Sequence, residues 1–308
     1  MNQALRINGD NIRLAIFAII CAVLALSLGD AMIKQFSADF ALWQIFVLRS
    51  LISVPVLVVF IKTRRRFISL LPVHIGWTAL RSMMLTFQWV AYYIALPHVE
   101  LSIAAAGFYT LPLFIALFAA LFVGEEVGFR GWIAVFLGFG GVLLVLRPQA
   151  DDFNAYALLP LIAAVLYAGA MILTRTKCRD EIPLILSFSL NVTMFVVGLM
   201  ATALIWVWNP SETVSETYRY LLGSWSFLGF QEWMMMGGLA AAIIIGSVGA
   251  AIAYQAGPSS VVAPYDFFYV GFATVWGIVF FSEIPDTMTA AGMGLIVAAG
   301  VLSIQRKS

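Results

Sequence analysis

Long apolar runs separated by short polar joints define this chain. Ten runs stand out, at 12–36, 41–61, 72–95, 100–122, 130–147, 153–175, 183–207, 232–256, 260–281 and 287–305. About 20 apolar residues in a helix cross a hydrocarbon core of roughly 30 Å, and most of the runs approach or exceed that length. They are continuous apolar blocks, where a barrel strand would alternate, so the pattern predicts helices. Most joints are too short for anything but antiparallel neighbours. The exception is Trp208–Gln231, a polar stretch carrying Trp225 and Phe227, expected to lie as a short interfacial helix.

The pattern is written twice. In the first copy, Ala95–Pro148, Pro97 opens an apolar span, Gly124–Glu126 closes it, and a Gly-rich span runs through Gly141 and Val142 to Arg147. In the second, Ala256–Arg306, Pro258 opens, Glu283 closes, and the span runs through Gly300 and Val301 to Arg306. The proline-to-glutamate intervals differ by a few residues, so the plan repeats while the register drifts. Two halves follow, 1–150 and 151–308, with five spans each. An odd number of spans per half puts the second half into the membrane upside down. Many transporters are built this way, with the solute between the repeats.

Composition agrees. The hydrophobic fraction is 62%, the charged fraction 11%, and the mean hydropathy +0.98. A soluble domain carries about 25% charged residues, so lipid must solvate most of this surface. A net charge of +1 gives no reason to expect nucleic acid. Cys21 falls in a span and Cys178 in a loop, which is neither a disulfide framework nor a metal signature, and no cofactor is expected. The polar N-terminus lacks a small-residue cleavage site, so the first span is expected to be retained.

Basic residues set the orientation. Arg6, Arg13, Lys62, Arg64–Arg66, Arg130, Arg175, Lys177, Arg179, Arg306 and Lys307 fall on one side. Asp39, His98, Glu100, Asp151, Asp152, Glu212, Glu216, Glu283 and Asp286 fall on the other. Both termini are expected in the cytoplasm of a bacterium, with the chain in its inner membrane.

Charges inside hydrocarbon are costly and therefore candidate functional groups. Asp30, Arg49, Arg81 and Asp266 qualify, while Lys34 sits near the outer boundary and could snorkel. At 1.5 Å per residue, Asp30 and Arg49 lie ~9 and ~12 Å from the outer boundary, close enough for a structural ion pair. Arg81 and Asp266 lie ~13 and ~9 Å from the inner boundary, a second possible pair, with a solute sensor or inner gate as the alternative. Arg81, Leu85, Gln88 and Tyr92 share one helical face, which lipid cannot satisfy and which therefore faces protein or water. Tyr265, Tyr269, Phe272 and Trp276 share another, read either as packing or as a stacking surface beside Asp266. The glycines Gly138, Gly140, Gly141, Gly292, Gly294 and Gly300 read as close-packing positions, and Pro112, Gly198, Gly246 and Gly249 as flex points.

The segments 80–132 and 138–148 resemble the EamA family of the drug/metabolite transporter superfamily. The likeness rests on the Leu96-Pro97 turn, Pro112 within the fourth span, the terminal glutamate, the Gly-rich packing and the Gly141-Val142 pair. Val270 stands roughly where the second copy would repeat Pro112. The resemblance implies a ten-helix carrier of amino acids, nucleosides, vitamins or related metabolites, with spans 1, 3, 4, 6, 8 and 9 around a central cavity. Tyr109, Tyr167 and Tyr254 lie on those spans. The combined substrate-site expectation is Arg81, Gln88, Tyr92, Tyr109, Tyr167, Tyr254, Tyr265, Asp266 and Tyr269.

An intramembrane aspartyl protease is the enzymatic rival, on Tyr265-Asp266 and Gly29-Asp30. The motif order is reversed, Ser27 replaces a glycine, and the two carboxylates differ by ~12 Å in depth on the same helical rise, too far to share a proton. The expected reading is therefore an all-α membrane protein of about ten helices in two inverted repeats. It would be a secondary transporter exporting amino acids, with a vitamin or nucleoside importer as runner-up. Its partners would be a small-molecule solute and the bilayer; the oligomeric state stays open.

Overall fold

A computed structural model describes residues 11–64, 69–123, 129–146 and 154–304. The Gly124–Glu126 turn, Asp151, Asp152, Arg147 and Arg306 lie outside these residues. Within them the regular structure is helical: α1 (Ile12–Phe36), α2 (Leu42–Arg64), α3 (Ile75–Ala95), α4 (Leu101–Phe108), α5 (Leu111–Phe118), α6 (Phe129–Leu146), α7 (Leu159–Thr176), α8 (Pro183–Trp208), α9 (Glu212–Thr217), α10 (Arg219–Leu222), α11 (Phe230–Ala256), α12 (Ser259–Val262), α13 (Phe268–Phe281) and α14 (Thr287–Ile304). Six helical stretches are long and apolar enough to cross a bilayer, and shorter apolar helices accompany them. The protein is an all-α, multi-pass membrane protein.

Local chemistry fixes the helix ends. The Asn11 side chain accepts from Leu14 N at 3.1 Å and caps α1, while the Asn11 N–H donates to Ala256 O at 2.7 Å, tying that end to the end of α11. Ser282 closes α13 in the left-handed region at φ 57°. Glu283 N then donates back to Gly277 O at 3.1 Å, the six-to-one closure that reverses the chain and aims Glu283 at the bundle.

Two spans that read as continuous are broken. The run at 100–122 divides at Tyr109–Thr110, because Pro112 has no N–H to donate to Phe108 O; α5 restarts there and ends in a π-helical turn, Ala119–Val123. The run at 260–281 divides into α12, a 3-10 turn at Ala263–Phe267 containing Pro264, and α13.

The most extensive packing joins α1 with α11, α3 with α7, α2 with α8, and α6 with α14. Glycine permits two of these approaches. A Cβ on Gly249 would stand 2.9 Å from Ala18 O, and one on Gly141 or Gly292 would stand 2.7 Å from the other's carbonyl oxygen. Gly249 is therefore a packing contact. The 209–229 segment is two short helices and an extended run. It folds against α2: Gln44 exchanges two bonds with Ser226 at 2.6 and 2.9 Å, and Trp43 Nε1 donates to Leu221 O at 3.0 Å.

Candidate functional site

The broken helices bring polar side chains into the buried centre. Asp30 on α1 is 1% exposed and accepts a hydrogen bond from the Tyr269 hydroxyl at the start of α13. Tyr269 and Tyr92 place their hydroxyls 3.0 Å apart. Tyr269 spends its one proton on Asp30, so Tyr92 is the donor of that second bond. The Tyr109 ring, at the break between α4 and α5, stacks on Tyr269 with centroids 4.6 Å apart. Phe108 packs edge-on beside them, with its ring 5.2 Å from Tyr92 and 5.6 Å from Tyr167. Offset and edge-on aromatic contacts of this kind add to plain burial.

A second carboxylate lies at the other break. Asp266, in the 3-10 turn, is 1% exposed and accepts from the Tyr254 hydroxyl of α11. The next residue, Phe267, sets its ring 6.4 Å from that of Tyr109, so the two clusters adjoin. On α3, Arg81 Nε donates to Thr174 Oγ1 at 2.6 Å, and Thr174 passes the chain to Ala170 O at 2.8 Å. Arg81 Nη1 and both polar atoms of Gln88 have no hydrogen-bond partner among the described residues, although both side chains are buried. A cavity of about 20 Å³, room for a water or so, lies beside Arg81, Leu85, Trp89, Tyr167, Ile243 and Ser247.

Each end of the bundle carries a latch. At one end Lys34 Nζ meets Glu283 Oε1 at 2.5 Å and donates to Val99 O at 2.9 Å, while Leu101 N donates to Glu283 Oε2 at 2.9 Å. At the opposite end Glu181 accepts from Val73 N at 3.1 Å and His74 N at 2.6 Å, a carboxylate set against the start of α3. Gln255 Nε2 there donates to Cys178 O at 2.9 Å and Glu181 O at 2.7 Å. Burial pushes the Cys178 thiol pKa up.

Three expectations change. Among the described residues Asp30 and Arg49 make no direct salt bridge. Tyr269 engages the carboxylate, and the guanidinium turns to Met194 Sδ at 3.1 Å and Tyr93 OH at 3.4 Å. Nor do Arg81 and Asp266 pair, because Thr174 and Tyr254 hold them. Lys34, expected near the outer boundary, has its ammonium held there by Glu283 and Val99 O and little exposed. Of the expected site residues, Tyr92, Tyr109 and Tyr269 gather with Asp30, Tyr254 bonds Asp266, and Tyr167 shares the cavity wall with Arg81. Tyr265 stays half-buried at the 3-10 turn.

Tyr93, Phe108, Thr174, Glu181 and Gln255 were not anticipated. Pro264 is a local cue that could have marked the second break, but the pairing partners of these side chains come from distant helices that carry no local cue.

This geometry, apolar helices with broken segments around buried polar groups, is one that membrane transporters use. Residues 13–147 match the EamA-like transporter family. That match lies in the first half of the chain and, with the relatives that follow, supports the EamA family of the drug/metabolite transporter superfamily. It is 26% identical over 293 residues to the pseudopaline exporter of Pseudomonas aeruginosa, covering 94% of this chain and 95% of the relative. It is 26% identical to a riboflavin transporter of Brucella anthropi, covering 88% and 89%. An S-adenosylmethionine uptake transporter of Rickettsia bellii is 25% identical, with 84% and 81% covered. One solved crystal structure superposes with a TM-score of 0.65 at 18% identity, covering 94% of both chains, which speaks for the fold. The protein moves a small-molecule solute across a membrane, as its family does.

Proposed function

We propose that this chain exports a small amino-acid-like metabolite by alternating access between two inverted five-helix halves, 1–150 and 151–308. The supporting observation is reciprocal pairing. The first helix of each half packs on the third of the other (α1 on α11, α7 on α3), second on second, and last on last. A two-fold relation between the halves would give that pattern. Both termini lie in the cytoplasm of a bacterial inner membrane on this reading. The Glu181 latch then closes the cytoplasmic side, and the Lys34–Glu283 latch closes the outer side.

The solute site comprises Arg81, Gln88, Tyr92, Tyr109, Tyr167, Tyr254, Tyr265, Asp266 and Tyr269. Unmatched polar atoms at Arg81 and Gln88, set among aromatic walls, suit an amphipathic solute with a few polar anchors. Discontinuous helices at Tyr109 and Asp266 free backbone polar groups beside these side chains, a device carriers use at their cargo sites. The relatives' solutes include a vitamin and a nucleoside-bearing metabolite, and uptake of such a compound is the second reading.

Export of a panel of amino acids from overproducing cells, with counterflow of radiolabelled solute in proteoliposomes, tests the proposal. Protein-dependent flux of an amino acid is expected. Flux of riboflavin or S-adenosylmethionine with none of any amino acid would replace this reading with the second one.

A further inference from the structure

Among the described residues, Arg81 is a buried cation with no anion in salt-bridge range. It is 1% exposed on α3, and its one recorded bond is to a neutral hydroxyl, Thr174 Oγ1 at 2.6 Å. Nη1 meets nothing, and among the described residues no carboxylate comes within salt-bridge distance. Taking a guanidinium out of water costs far more than one neutral hydrogen bond returns, so a group held this way needs a counter-charge at some stage.

The surroundings say what kind. The cavity beside Arg81 is walled by Leu85, Trp89, Tyr167 and Ile243. Of the hydroxyl-bearing residues that line it, Tyr167 and Ser247, the latter is already engaged: it shares a 2.5 Å contact with Ser187 Oγ and donates to Ile243 O at 2.5 Å. A single cation in an apolar, aromatic cup fits a monoanion with an apolar body. A phosphate would need several cations or a row of backbone N–H groups. The planar guanidinium offers parallel N–H bonds to a carboxylate. The cavity lies between α3 of the first half and α7, α8 and α11 of the second, so relative movement of the halves would widen it.

We propose that Arg81 Nη1 is the carboxylate-recognition point of the solute site, and that the preferred cargo is an aromatic or aliphatic monocarboxylate, α-amino acids included. This rests on the transport reading above and names the chemical class it leaves open.

The test separates the two. Thermal stability of the purified full-length protein in detergent is followed against indole-3-propionate and 3-phenylpropionate, each beside its own amide. The acids are expected to stabilise at concentrations about tenfold or more below the amides, the range for gaining one charge-assisted pair. Arg81→Gln should erase the difference, and Arg81→Lys should keep part of it. Equal responses to acid and amide, no response to either, or an unchanged preference in Arg81→Gln would each overturn the assignment. Proteoliposome flux of the same compounds is measured in parallel. Binding preference without flux would sustain the carboxylate point and refute the transport reading. Flux without acid preference would do the reverse.

Discussion

Replacing Glu283 by Gln removes the charge from the Lys34 latch while leaving an oxygen to accept from Leu101 N. The pair is close, at 2.5 Å, and its side chains are only 13% and 16% exposed. Breaking a fully buried pair costs about 3–5 kcal/mol, and an exposed pair is worth about 0–1. The retained bond to Leu101 and the neutral amide bring the loss to ~1–2 kcal/mol, a factor of about 5–30 in population. Because the latch joins α1 to the segment after α13 and to the start of α4, the whole loss falls on closure of that end. Ser27 on α1 reports it: it is fully buried, accepts from Trp276 Nε1 at 3.0 Å, and sits about 10 Å below Lys34 by helical rise. In a background lacking Cys21 and Cys178, Ser27→Cys is labelled from outside by a membrane-impermeant maleimide. Glu283→Gln should speed the labelling by about 5–30-fold, and Lys34→Gln should do the same. An unchanged rate in both variants would show that the pair does not hold this end shut.

Gln88→Leu removes two buried polar atoms that have no partner, so the purified variant should melt no lower than wild type, and about 1–3 kcal/mol of stability is available to be regained. Its flux should nevertheless fall; a lower melting temperature would mean that the amide is structural. Cys178 is buried, and its thiol pKa is raised by that burial, so maleimide should label it slowly at neutral pH until Glu181→Ala loosens the surrounding turn. Fast labelling of wild type would remove the Glu181 latch. Ser282→Gly relieves a left-handed residue at φ 57° and should raise stability by a few tenths to about 1 kcal/mol, read by thermal unfolding, whereas Ser282→Val should lower it.

The apolar runs, their helical nature and the face carrying Arg81, Gln88 and Tyr92 were readable because each depends on residues a few positions apart. Depth along a helix was readable too, but it does not say which helices touch: α1, with Asp30, packs mainly on α11 and α13, and α2, with Arg49, mainly on α8 and α11. Their pairing was not readable. Depth limits which groups can meet, but Tyr269 and Tyr93, from α13 and α3, compete for them, and a hydroxyl at bonding distance displaces a guanidinium farther away. The same competition separated Arg81 from Asp266.

Glu283 shows where the division falls. Its position at the end of a span, after a residue that turns the chain, is a local property, and so is the expectation that it caps or pairs. That it meets Lys34, 249 residues away, while taking the Leu101 N–H, required α1, α4 and α13 to converge at one end. The order of apolar and polar residues determined that the chain lies in lipid, how many times it can cross, and which side chains are too polar to face hydrocarbon. The assembled bundle alone decided which of those side chains satisfy one another and which, like Arg81 Nη1, are left over, because hydrogen-bond partners are allotted by three-dimensional proximity among helices and not by spacing along one.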